Sequence, residues 1–372
     1  MQKHRARRDV CPQGGICARA KPVRHGVRPF SRAPDSNGIV LTVLRIETML
    51  KRREFMGLAG LCALSLPAYR SAIAQVNRVL EEPWSDDHLV GTFAEPGSGE
   101  PARGPAVLLI SGSGPSSRDG SFNTYRLIAH GLAASGIRSL RYDKRGVGQS
   151  RPMVESEHDL TLGQFVDDAV MAARDLAARP DVSSVVLVGH SEGALIATLA
   201  AAKIPLAGIV LLAGTGRRLD AVIREQLMAM PLPASMEHVR REALSILERL
   251  ARGERVAEVS TDNAPLFRPS VQPFLLSVFA IDPAAELAKV KLPVMLVRGA
   301  SDIQVSAEDL DILAKVRPDA RILVLPETNH AFKPAPADVT NRAAQLRSYD
   351  PAAPLAPGLV PAIVEFVRAN AR

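Results

Sequence analysis

Val185-Val186-Leu187-Val188-Gly189-His190-Ser191-Glu192-Gly193 decides how this chain reads. Its first four residues form an apolar, largely β-branched run of buried-strand type. The residues after it, Ala194, Leu195, Ile196, Ala197, Thr198, Leu199 and Ala200, continue as a helix. Between them lies G-x-S-x-G, a sharp strand-to-helix turn that lifts a serine hydroxyl clear of a sheet edge and needs glycines where neighbouring chain passes close. A bare G-x-S-x-G occurs by chance in many chains. The strand before it and the helix after it make Ser191 the expected nucleophile.

A serine hydroxyl is a poor nucleophile until a base takes its proton, and with an elbow of this kind an acid and then a histidine follow in chain order. Downstream of Ser191 stand His238 and His330. His238 lies in Met236 to Leu250, where Val239, Ala243, Ile246, Leu247 and Leu250 recur at helical spacing. It falls off that apolar face, as a solvated helix position does. His330 follows the strand-like run Arg321-Ile322-Leu323-Val324-Leu325 through a turn containing Pro326 and Asn329, in a loop at that strand's carboxyl end. It is the expected general base. Asp302 follows Pro293-Val294-Met295-Leu296-Val297 through Gly299-Ala300-Ser301 and is the expected acid that holds the imidazole in its tautomer. An ordinary turn or N-cap aspartate is its other reading, since Ser306 and Glu308 announce a helix. Asp309 and Asp311 inside that helix read as solvated.

Attack on a carbonyl makes an oxyanion, which two backbone N–H groups must meet. The elbow supplies the N–H of Glu192. The run Val107-Leu108-Leu109-Ile110 leads into Ser111-Gly112-Ser113-Gly114-Pro115, and the second donor is assigned to Ser113. The alternative is that these small residues only make a tight turn. This chemistry requires no metal or organic cofactor.

From about Trp84 to the C-terminus the chain resembles the α/β-hydrolase superfamily, and within it the bacterial carboxylesterases grouped with serine aminopeptidase-like and monoacylglycerol-lipase-like hydrolases. The motifs that carry the likeness are SGSGPSSRDG at 111–120, RYDKRGVGQS at 141–150, the GHSEG elbow, Gly299-Ala300-Ser301-Asp302 and Asn329-His330. The resemblance implies Ser191, Asp302 and His330 as a triad and the backbone of Ser113 and Glu192 as the oxyanion hole, in agreement with the reading above. It also implies a mostly parallel central sheet with helices on both faces and a helical lid insertion. Arg141, Asp143 and Arg145 invite a binding role, but a charged turn with internal hydrogen bonds, closing the strand Ile137 to Tyr142, is the simpler account. His190 and Glu192 read as elbow architecture rather than extra acid-base machinery. A lengthened segment between His330 and the last helix departs from the common pattern and is expected not to touch the triad.

Lys51-Arg52-Arg53-Glu54-Phe55-Met56, the apolar run Gly57 to Ala68, and Ala72-Ile73-Ala74 have every part of a secretory signal, and the paired arginines match the twin-arginine type. We expect cleavage after Ala74 and a periplasmic or secreted product. The apolar run is shorter than the roughly 20 residues that span a bilayer, so no stable membrane anchor is expected. Leu61 before Cys62 argues against lipid modification there. Residues 1–48, arginine-rich and without periodicity, read as a non-native or disordered extension, with Met49 the expected start and 49–74 the signal peptide. Residues 1–74 hold 14 Lys+Arg and 4 Asp+Glu; the whole chain carries +7, which leaves −3 for residues 75–372. The basic charge thus belongs to the presequence, and nothing argues for nucleic acid. Cys11, Cys17 and Cys62 all precede Gln75, so the remainder can have neither a disulfide nor a thiolate metal site.

The remaining 298 residues suit one large α/β core. The clearest helix runs from Thr161 to Arg179 with Leu162, Phe165, Val166, Ala169, Val170, Ala173, Leu176 and Ala177 as its apolar stripe. Residues about 216–291, helical in pattern and rich in proline, stand where this superfamily carries a lid. Met228, Met230, Leu266, Phe267, Phe274, Leu275 and Phe279 there have two readings, lining an acyl pocket or forming the lid's own core. The function the resemblance implies is a carboxylesterase of small to medium acyl esters. A peptidase or amidase with the same triad is the nearest rival, with Glu225 or Glu286 as candidate binders of a substrate amine. A non-catalytic binding protein is the rival from another class.

Overall fold

The computed structural model describes residues 79–97 and 103–371. The signal-peptide and extension readings lie outside the described residues. Eight strands form one sheet: β1 (Val79–Ser85), β2 (Val90–Pro96), β3 (Gly104–Ile110), β4 (Arg138–Tyr142), β5 (Val182–His190), β6 (Gly208–Leu212), β7 (Val294–Gly299) and β8 (Arg321–Leu325). Their order is β1-β2-β4-β3-β5-β6-β7-β8. β2 is antiparallel to β1 and to β4, and every pairing from β4 through β8 is parallel. One row of the register runs Arg141, Leu109, Val188, Val210, Met295, Arg321, so all six parallel strands end at the same sheet edge.

β3 from Ala106 to Ile110 and β5 from Val185 to Val188 are continuous apolar runs because both faces of a parallel sheet are covered there. Alternate residues enter two cores. Ala106, Leu108, Val185 and Leu187 pack with α2 (Leu162–Ala178) and α3 (Glu192–Ala200), whereas Val107, Leu109, Val186 and Val188 pack with α1 (Thr124–Ala134) and the last helix, α11 (Leu359–Asn370). α2 is the helix expected at 161–179. Thr161 and Gln164 cap it reciprocally, and the expected stripe is buried except for Ala177, which is exposed.

Between β6 and β7 lie α4 (Leu219–Ala229), α5 (Glu237–Ala251), α6 (Ala264–Phe267), α7 (Gln272–Phe279) and α8 (Pro283–Lys289). Of the seven apolar residues singled out in this segment, Met228 is 58% exposed and the other six belong to the core cluster on the α2–α3 face. After β7 comes α9 (Ala307–Val316), and after β8 comes α10 (Arg342–Arg347). On α5, His238 is exposed as expected. On α9, Asp311 is exposed but Asp309 is fully buried, which corrects its reading as solvated. Its carboxylate accepts the Gly216 N–H at 3.0 Å and pairs with Arg217 at 2.7 Å, tying the start of the helical insertion to α9. No helix among the described residues is long and apolar enough to cross a membrane.

Candidate active site

The chain passes from β3 to β4 on one side of β3 and returns as β5 on the other. The carboxyl ends of β3 and β5 therefore flank the crevice where the strand order reverses. Ser191 stands there, with φ 56° and ψ −118°, a strained conformation for a residue with a side chain. Two backbone bonds hold it: its N–H donates to the Leu212 carbonyl at 2.8 Å, and its carbonyl accepts the Ala194 N–H at 2.9 Å. A Cβ at position 189 would fall 2.0 Å from the Gly193 oxygen, and one at position 193 would fall 2.3 Å from the Ile110 oxygen. Both elbow glycines are thus required by backbone crossing backbone.

The loops after β7 and β8 are stitched together by Ala300 N–H to Leu325 O, 2.7 Å, and Ser301 N–H to Thr328 O, 2.9 Å. This brings Asp302 and His330, both buried, to an Nδ1–Oδ2 distance of 2.7 Å. The other oxygen of Asp302 accepts the N–H groups of Gln304 at 2.7 Å and Val305 at 3.1 Å. Burial alone pushes this carboxyl up, but the neighbouring His330 and these hydrogen bonds outweigh it and hold the group below its usual range. An ionised carboxylate only accepts, so Nδ1 of His330 carries a proton, and in the neutral ring the lone pair is on Nε2. The Asn329 side chain shapes the histidine loop, accepting the Ala331 N–H at 2.9 Å and the Lys333 N–H at 3.0 Å and donating to Ser348 Oγ at 2.9 Å.

Ser191, His330 and Ser113 line one cleft of about 60 Å³, together with His190, Tyr125, Gln304 and Tyr349. The Gly112 backbone lies against the serine: a Cβ on it would be 3.2 Å from that of Ser191. Among the described residues the backbone N–H groups of Ser113 and Glu192 donate to no protein acceptor. The five residues singled out from the sequence are therefore gathered in one place, Asp302 immediately behind His330.

His190 joins these loops. Its Nε2 lies 2.9 Å from the His330 carbonyl, which can only accept, so that nitrogen carries the proton and Nδ1 accepts from the Tyr125 hydroxyl at 2.8 Å. The Tyr125 oxygen in turn accepts the Gly112 N–H at 2.9 Å. Burial, reinforced by the neighbouring His330, depresses the His190 pKa to about 3. His190 thus stays neutral and is elbow architecture, as expected.

Several expectations change here. Arg141, Asp143 and Arg145 do form a structural charged group, but their partners lie outside the turn as well. Arg141 pairs with Glu81 at 2.7 Å and Asp119 at 3.0 Å, Asp143 with Arg118 at 2.7 Å, and Arg145 with Asp168. The segment after His330 does touch the site. Gln304 donates to the Tyr349 hydroxyl at 3.0 Å, and the Tyr349 ring packs 5.4 Å from that of Phe122 at the cleft wall. None of the seven apolar residues of the helical insertion lines this cleft. The insertion reaches the site's surroundings through Gln226, whose amide donates to the Gln304 carbonyl at 2.9 Å. Lys144, unremarked in the sequence, is buried beneath the elbow against Glu192.

A model of the alpha/beta hydrolase family matches residues 107–343. Esterase EstD of Thermotoga maritima is 33% identical over 238 residues, which cover 61% of this chain and 54% of that protein, so the chain spans about half the length of this curated relative. Among solved structures, the alpha/beta hydrolase GrgF from Penicillium sp. sh18 is 18% identical, with 79% of this chain and 99% of that chain covered and a TM-score of 0.52, a likeness of fold. By its matched family model, its sheet order and its elbow, the chain belongs to the alpha/beta hydrolase family.

Proposed function

We propose that this chain is a serine hydrolase that cleaves small to medium carboxylic esters through an acyl-enzyme on Ser191. The observation that carries the reading is the buried Asp302–His330 pair, which leaves Nε2 as the free basic nitrogen in the same cleft as Ser191. His330 takes the hydroxyl proton as Ser191 attacks the ester carbonyl, and Asp302 stabilises the imidazolium. The oxyanion rests on the N–H groups of Ser113 and Glu192. His330 then protonates the leaving alcohol, and water, activated by the same nitrogen, releases the acid. The name of the curated relative, an esterase, supports ester rather than amide substrates. Glu225 and Glu286, the candidate binders of a peptide's free amine, are paired with Arg217 and Lys289 and do not line the cleft.

We further propose that the helical segment 216–291 serves as a lid. The twin-arginine machinery would export the precursor, with cleavage after Ala74, on the strength of the sequence 51–74 alone. The test of function is p-nitrophenyl ester hydrolysis across acyl lengths with intact mass after a fluorophosphonate probe, for the full chain and for Ser191→Ala. Turnover and a single adduct, both lost in the alanine variant, are expected. A folded wild type showing neither would overturn the reading in favour of a binding protein.

A further inference from the structure

Lys144 has its ammonium group enclosed: 2.6 Å from Glu192 Oε1, 2.9 Å from the Gly112 carbonyl oxygen and 4.4 Å from the centre of the Phe165 ring. An ammonium has three N–H bonds, and here each has a recipient. Gly112 is held at both polar ends, its N–H by the Tyr125 hydroxyl and its carbonyl by Lys144, each at 2.9 Å. The Gly112 carbonyl and the Ser113 N–H belong to one planar peptide group and point in opposite directions. A cation fixed on the carbonyl therefore sets where that N–H points. It also draws electron density toward the oxygen, which makes the N–H a stronger donor. The same ammonium is anchored by the side chain of Glu192, the residue whose own N–H is the other assigned oxyanion donor.

We propose that Lys144 is a positioning residue for the oxyanion hole: through the Gly112–Ser113 peptide and the Glu192 side chain it fixes both donors in one geometry. This rests on the ester-hydrolase reading above. Lys144 touches no substrate atom in this scheme. Its effect belongs to the transition state, where charge reaches the carbonyl oxygen, rather than to ground-state binding.

The test is the pair variant Lys144→Met/Glu192→Gln, in the full chain, so that no buried carboxylate is left without its cation. kcat and KM on p-nitrophenyl acetate are expressed per Ser191 reactive with a fluorophosphonate, and the affinity for phenylboronic acid, which forms a tetrahedral adduct, is measured alongside. The expected result is a fall in kcat of about tenfold to a hundredfold with KM within about twofold, and a parallel loss of boronate affinity. An active wild type whose variant keeps its kcat per reactive serine, or loses kcat with boronate affinity unchanged, overturns the positioning role alone. A wild type that neither turns over ester nor takes the probe overturns this inference and the function together.

Discussion

Asp302→Asn offers a test in which the structure dictates which way the new side chain faces. One oxygen of Asp302 accepts two backbone N–H groups, from Gln304 at 2.7 Å and Val305 at 3.1 Å, and the other accepts from His330 Nδ1 at 2.7 Å. An asparagine has one oxygen and one NH₂ to place in those two positions. With the NH₂ toward the backbone, two buried N–H donors lose their acceptor at about 1–3 kcal/mol each, so the oxygen must stay there. The NH₂ then faces His330 and turns Nδ1 into an acceptor. The ring proton moves to Nε2, the nitrogen assigned as the base. Fold and volume are kept while the base is lost, and kcat should fall about 10³- to 10⁴-fold, roughly 4–5.5 kcal/mol of barrier. The assay is kcat on p-nitrophenyl acetate beside a thermal melt, with ¹⁵N NMR of the imidazole reporting the tautomer. A folded variant retaining kcat within tenfold of wild type would refute the reasoning.

Other consequences follow from the elbow and its neighbours. Gly193→Ala would drive a methyl to 2.3 Å from Ile110 O and 2.7 Å from Ser111 O, both backbone atoms with no side chain to yield. We expect a loss of about 3 kcal/mol or more, a melting temperature lower by roughly 5 °C or more, and no esterase activity; an unchanged melt would contradict the close crossing. His190, at about 3 folded against 6.5 for the free side chain, binds its proton in the unfolded state first. Its contribution to stability is therefore complete above pH 6.5 and erodes as pH falls toward 3, by up to tenfold in the folded-to-unfolded ratio per pH unit. Denaturant midpoints at pH 6.5, 5.5 and 4.5 should decline more steeply for wild type than for His190→Asn, and equal slopes would argue against the neutral buried ring.

What could be read from the sequence followed from local physics. The parallel strands are recognisable because burial on both faces demands continuous apolar runs, as at Val185–Val188 and Val294–Val297, and the position of Asp302 and His330 just past strand ends makes them legible as candidates. What escaped depends on partners far along the chain. Lys144 sits among charges in Asp143-Lys144-Arg145, and only the approach of Glu192 and Gly112 shows that it alone points inward to the elbow. Asp309 lies on an otherwise ordinary helix and is buried because Arg217 arrives from the insertion. Tyr349 carries no motif at all, and its place at the cleft follows from its hydrogen bond with Gln304 and its packing on Phe122. β1, Val-Leu-Glu-Glu-Pro-Trp-Ser, carries no apolar alternation because it lies at the sheet edge with most of its residues exposed.

The row that runs from Leu109 through Val188, Val210 and Met295 to Arg321 also works as a ruler. Ser191, Asp302 and His330 each follow a different strand end, so distances between them are measured in units of strand register. A slip of one residue turns every side chain of that strand to the opposite core, and the smallest slip that preserves the cores is two residues, about 6.6 Å, more than twice a hydrogen bond. Interior packing thereby locks the chemistry to discrete positions. Two of the walls around it, Phe122 in a short 3₁₀ turn and Tyr349 in a loop, lie outside the strands and are free of that quantisation. In the proposed hydrolase, what the cleft admits depends on loops, while the spacing of the proposed triad depends on apolar residues that lie outside the cleft.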